Sequence, residues 1–180
     1  MPRVSQEQAK LNRQRVVEVA SSLFRERGLN GIGVVDIMAA AGLTHGGFYG
    51  QFANKDALAA EAFDAAIGNE YRADLETFIE NYLSLGHVRT PGRGCPVAAL
   101  VNDIGREPPG SALRSRFTHA VKGLAGLIAD RLPKSSKERR RQRSLIALST
   151  MVGAVVLARG VDDEALADEL LATARATITG

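Results

Sequence analysis

Apolar residues recur along the 180-residue chain at the three- and four-residue spacings of helices, and no stretch shows the strict alternation of a half-buried strand. From about Gln8 to Arg27, Val16, Val17, Ala20, Leu23 and Phe24 fall at i, i+1, i+4, i+7 and i+8, which predicts an amphipathic helix ended by Gly28. Val34, Val35, Ile37, Met38 and Ala41 stripe a second, shorter helix. Gly42 then supplies a turn, and Thr44 caps a third helix running to Phe52. Asn54 or Asp56 opens the next, with Leu58, Ala59, Ala62, Phe63, Ala66 and Ile67 on one side. After a break near Gly68, Tyr71, Leu75, Phe78, Ile79, Tyr82 and Leu83 mark a helix to about Leu85, and the Gly- and Pro-rich GHVRTPGRGCP reads as a loop.

Pro96 starts a short helix that stops before Glu107-Pro108-Pro109-Gly110. Ser111 caps a long one holding Leu113, Phe117, Ala120, Val121, Leu124, Leu127 and Ile128, ended by Pro133. Two last helices, about 137–159 and 163–178, carry the stripes Leu145, Leu148, Val152, Val155, Val156 and Leu166, Leu170, Leu171, Ala174, Ile178. Two readings of these stripes stand: a hairpin that pairs with a second copy in a four-helix bundle, or residues that only fill the intrachain core.

Composition narrows the class. A hydrophobic share of 45% supports a globular fold, and scarce aromatics with plentiful Ala favour closely packed helices. No apolar run approaches the roughly 18 residues of a membrane span, and MPRVSQEQAK lacks the apolar core of a signal peptide, so the expectation is a cytoplasmic protein with no membrane partner. The net charge of +3 says little about partners, but residues 1–56 hold seven bases against five acids, with the excess before Val16. A second basic run, Lys134 to Arg143, has six bases and one acid and reads as a solvated face.

Three scattered histidines, no phosphate loop and no metal-ligand cluster give an enzyme nothing to work with, so no catalysis, cofactor or metal is expected. The single Cys95, in GRGCPV, excludes an internal disulfide. It stands at a helix start with Arg89 and Arg93 near in sequence, conditions that favour a reactive thiolate; a small buried residue is the plainer reading. Phe63, Tyr71, Phe78, Tyr82, Leu100, Phe117, Val121 and Leu124 are the aromatic and branched residues that could wall a ligand pocket, although any helical core contains such residues.

The stretch DIMAAAGLT, then FYGQF, then NKDAL resembles, in order, the DNA-binding domain of the tetracycline-repressor family of bacterial transcription regulators. The match covers about the first third of the chain, with Gly33 where the family more often has Ser or Thr. The resemblance implies an all-α protein with an N-terminal three-helix helix-turn-helix domain (1–53) and a C-terminal helical ligand-binding and dimerisation domain (54–180). It further implies a homodimer on double-stranded operator DNA, released by a small-molecule inducer. Carried over position by position, Thr44, Tyr49, Gln51 and Lys55 match phosphate-contacting positions, and His45, Gly46 and Gly47 match positions facing base edges. Leu145, Leu148, Val152, Val155, Val156, Leu166, Leu170 and Ile178 become the dimer interface. The GCP-then-helix arrangement is similar to that of electrophile-sensing members, which would make Cys95 a thiol sensor. The rival reading is a helical ligand-binding or scaffold protein of the same fold without operator binding.

Overall fold

A computed structural model of the chain describes residues 5–67 and 74–179. Its helices are α1 (Gln6–Arg27), α2 (Val34–Ala40), α3 (Lys55–Ile67), α4 (Leu75–Tyr82), α5 (Leu85–Arg89), α6 (Pro96–Arg106), α7 (Ala112–Arg131), α8 (Lys137–Gly160) and α9 (Glu164–Thr179), with 3-10 turns at His45–Gly47 and Pro91–Arg93. No strand occurs among the described residues. Helix starts coincide with side-chain caps: Ser5, Asp74, Ser84, Ser111 and Ser136 each accept a hydrogen bond from the backbone N–H three residues on.

Two glycines make the first turns. Gly28, at φ +77, closes α1 with its N–H on the Phe24 carbonyl at 2.8 Å, and Gly42, at φ +71, reverses the chain after α2. Around them α1, α2 and α3 bury Val16, Ala20, Phe24, Ile37, Met38, Phe48 and Leu58. Arg13 of α1 holds Glu61 of α3 through two 2.7 Å hydrogen bonds and lies over the Phe52 ring at 4.6 Å. The Glu61 carboxylate raises the Arg13 pKa, chiefly through that hydrogen bond.

The rest is a helical stack in which α8 packs on both α7 and α9. Ile128, Met151, Val155 and Leu171 are fully buried there. By length and composition alone α8 is apolar enough to cross a bilayer, although it holds no uninterrupted apolar run of that length; here it is packed between its neighbours. Helix α6 touches α1, α7 and α8, and an ion pair of Arg116 with Asp64 ties α7 to α3.

Three expectations change. The helix expected to reach Leu85 stops at Tyr82, because Leu83 takes φ −91, ψ 58 and Ser84 caps a new helix; Gly68 and Tyr71 lie outside the described residues. GHVRTPGRGCP is not a loop throughout: its first half is α5 and its PGR a 3-10 turn. The helix expected from Thr44 to Phe52 is a three-residue 3-10 turn followed by irregular turns. Gly46, Gly47 and Gly50 explain it, since each raises the entropic cost of a regular helix.

Candidate nucleic-acid interface

The turn after α2 is an exposed strip on a buried anchor. Gly47 N–H donates to the Thr44 carbonyl and Phe48 N–H to the His45 carbonyl, both at 3.0 Å, and Phe52 N–H closes on the Phe48 carbonyl at 2.9 Å. Phe48 and Phe52 are buried and stacked at 5.5 Å, so this end is fixed in the core. Tyr49 stands edge-on to both Phe48 (5.2 Å) and His45 (5.7 Å), and remains 67% exposed. His45, Gly46 and Gly47 are exposed with it.

Thr44 occupies the cap position, but its side chain makes no capping bond. Lys55, the first residue of α3, places its ammonium 6.0 Å from the Phe24 ring, and the helix is capped by Asn54, whose Oδ1 accepts from Ala57 N–H at 2.8 Å. Gln51 departs from its phosphate-facing expectation: its Nε2 donates to the Gly47 carbonyl at 3.1 Å and its Oε1 is buried without a partner. The amide braces a turn whose other bonds are mostly of the tighter i→i−3 kind. A 3-10 turn of three residues also sums few peptide dipoles, so the macrodipole expected at this terminus is small.

Among the described residues, which leave out Tyr71, the expected pocket residues do not share one cavity. Phe63 lines a 510 Å³ cleft with Asp64, Ile67, Ser115, Arg116, His119 and Ala120, between α3 and α7. Phe78 and Tyr82 line a separate 270 Å³ cleft with Asn81, His87, Thr90, Arg93 and Gly94. Leu100, Phe117, Val121 and Leu124 line neither; they pack in or against the core.

Behind the second cleft, Cys95 caps α6 and is 1% exposed, so its thiol is inside the protein and not on the open loop that GRGCP suggested. Its neighbours come from afar. His87 donates Nδ1–H to the Tyr82 carbonyl (2.6 Å), which leaves Nε2 to accept the Cys95 N–H (2.9 Å). Arg159, from the end of α8, donates to the His87 carbonyl at 3.0 Å. Burial, and then the Arg159 charge, hold the His87 pKa below its ordinary value, against the opposing Tyr82 carbonyl. Burial likewise lowers the Arg159 pKa.

The same loop is bonded to the helix-turn-helix. Arg25 of α1 donates to the Gly94 carbonyl at 2.8 Å, and Asp103 of α6 accepts the Leu29 N–H at 3.0 Å just past the end of α1. Sequence reasoning singled out His87 only as a residue that could give a ligand polar contacts, and it missed Arg159, Arg25 and Asp103, because each acts on a residue distant in the chain or on a backbone atom. The Gly94-Cys95-Pro96 helix start was the one local signal that the region is tightly built.

The dimer stripe divides. Leu148 (6% exposed) and Val155 (0%) are corrected to the intrachain core, since they lie on the buried side of α8. The exposed side instead presents Ile146 and Leu157, the latter 57% exposed, together with Leu145 and, across on α9, Leu166. Gly153, Leu157, Leu166 and Leu170 line a 480 Å³ groove there. Val152, Val156 and Ile178 are half-buried against the core.

A short helix, a glycine turn and an exposed turn on an aromatic anchor, mounted on a helical body, define a helix-turn-helix DNA-binding protein. The model of the bacterial regulatory proteins of the tetR family matches residues 16–62. An uncharacterized HTH-type transcriptional regulator of Mycobacterium tuberculosis (strain ATCC 25618 / H37Rv) is 29% identical over 169 residues, covering 82% of this chain and 84% of that protein. The HTH-type transcriptional repressor DhaR of Mycobacterium sp. (strain GP1) is 39% identical over 71 residues, 39% of this chain and 33% of that protein. A TetR transcriptional regulator from Chloroflexus aurantiacus J-10-FL superposes with a TM-score of 0.74 at 25% identity, over 97% of each chain. The chain belongs to the tetracycline-repressor family and is a DNA-binding transcriptional regulator.

Proposed function

We propose that the protein is a homodimeric repressor that seats its two recognition turns on double-stranded operator DNA and leaves when a small molecule binds its C-terminal helices. The carrying observation is the exposed His45–Tyr49 strip rigidly footed on buried Phe48 and Phe52. In this reading Thr44, Tyr49 and Lys55 meet phosphates, His45, Gly46 and Gly47 face base edges, and Gln51 holds the turn. The domains divide at 53/54, with α3 the shared strut. Repression needs only that a dimer over a promoter obstruct polymerase.

The second copy docks on the apolar strip of Ile146, Leu157 and Leu166 and the groove beside it. That pairing sets the two turns one helical repeat apart, ~34–36 Å. The cleft of Phe78 and Tyr82, with Asn81, Thr90 and Arg93 around it, suits a small ligand bearing an aromatic ring and an acidic group. Its link to the helix-turn-helix runs through Gly94 and Arg25. Modification of Cys95 acts on the same loop, but only once the loop opens.

Fluorescence anisotropy on DNA flanking the protein's own gene, across a salt series, tests the reading. Specific binding that weakens steeply with salt, with Lys55→Ala flattening the log–log slope by about one, is the expected result. An unchanged slope removes Lys55 from the contacts, and no specific binding favours a helical ligand-binding protein without an operator.

A further inference from the structure

Glycine is demanded by the fold at several places in this chain. Gly28 and Gly42 have positive φ, and a Cβ on Gly28 would also stand 2.8 Å from the Asp103 carboxylate. At Gly92 a Cβ would collide with Glu26, and at Gly94 with His87. The recognition turn is different. Its three glycines all have ordinary negative-side backbone angles. A Cβ at Gly46 would meet nothing within 4 Å; at Gly47 the nearest atom is Met38 Cε at 3.7 Å, and at Gly50 the Gly47 carbonyl at 3.9 Å, both ordinary contacts. All three are exposed, within five residues of one another. They weaken a turn that alanine would strengthen, at no gain to packing.

We propose that Gly46, Gly47 and Gly50 serve the DNA rather than the fold. They give the turn a bare backbone face that lies flush against major-groove base edges beside the His45–Tyr49 pair, and one added methyl group lifts it away. This rests on the reading that the turn contacts DNA. Base reading by side chains then falls to His45, with Tyr49 on phosphate, so the operator's sequence information is concentrated in few base pairs per half-site.

The test compares Gly46→Ala, Gly47→Ala and Gly50→Ala with Gly123→Ala, a position in α7 where a Cβ also meets nothing within 4 Å. The DNA probe is a duplex of about 30 base pairs, enriched from a randomised pool by the native protein, long enough for two half-sites. All four variants are expected to keep the native Tm or raise it by up to ~4 °C. The three turn variants bind about tenfold more weakly, whereas Gly123→Ala binds as the native protein does.

Turn variants that bind within twofold of native overturn the proposal, as does a fall in Tm, which would return the glycines to the fold. Tyr49→Ala separates the two failures. If it weakens binding while the glycine variants do not, the turn contacts DNA and only the glycine role is lost. If neither weakens binding, or the native protein enriches no sequence, the DNA-contact reading falls and the proposal with it.

Discussion

Protonating His87 removes an acceptor that the structure uses. With Nδ1–H on the Tyr82 carbonyl, Nε2 is the only ring atom left to take the Cys95 N–H, and a proton there turns acceptor into donor. The Cys95 amide then loses its partner, at a cost of about 1–3 kcal/mol for a buried donor, and the imidazolium faces the Arg159 charge. Burial of the ring, and then the Arg159 charge, hold the His87 pKa below its ordinary value, and the Cys95 amide that needs Nε2 as an acceptor opposes the proton in the same direction.

Linkage gives the sign. Above about pH 6.5 the ring is neutral in folded and unfolded chains alike and contributes no pH dependence. Below that value the unfolded chain takes up the proton first, so stability falls with acidification until pH reaches the lowered folded pKa, and then levels. Between pH 7.5 and 5.5 the loss from this group is at most about 1.4 kcal/mol, or ~3–6 °C in Tm for a chain of this size. Thermal denaturation of the native protein and of His87→Gln across that range reads the difference in slope, whatever the variant's own stability. His45 and His119 are exposed and are common to both proteins. A native slope no steeper than the variant's would refute the geometry, because it would mean that the folded ring protonates as readily as the unfolded one.

Three further outcomes follow from particular contacts. Leu157→Glu puts a charge on the exposed strip of α8, away from the core, and is expected to leave the helical circular dichroism intact while shifting the sedimenting species from dimer to monomer. Gly28→Ala forces a Cβ into a positive-φ position against Asp103 and should cost about 1–3 kcal/mol in urea unfolding; a neutral result would mean the α1 terminus is not held as described. Cys95, at 1% exposure, should react with a bulky thiol reagent much more slowly in the native protein than in urea, and equal rates would show that the loop opens readily.

Much of the architecture was legible because it is written in local rules. Apolar spacing located α1, α7, α8 and α9 to within a few residues, Ser111 announced the cap of α7, and Gly28 and Gly42 announced their turns. The order of short motifs from Asp36 to Leu58 was enough to identify the family. Tertiary structure decided which side of each stripe faces inward, since periodicity marks a face without naming its partner: Leu148 and Val155 went to the core and Leu157 to the surface. It also decided that the recognition segment is a braced 3-10 turn, because three glycines leave local propensity too weak to choose a helix and Gln51 supplies the bond instead. Cys95 illustrates the rest. Its sequence neighbours suggested an open, basic loop, whereas its actual environment is His87, the end of α8 and the close of α1, groups that meet only when the helices pack.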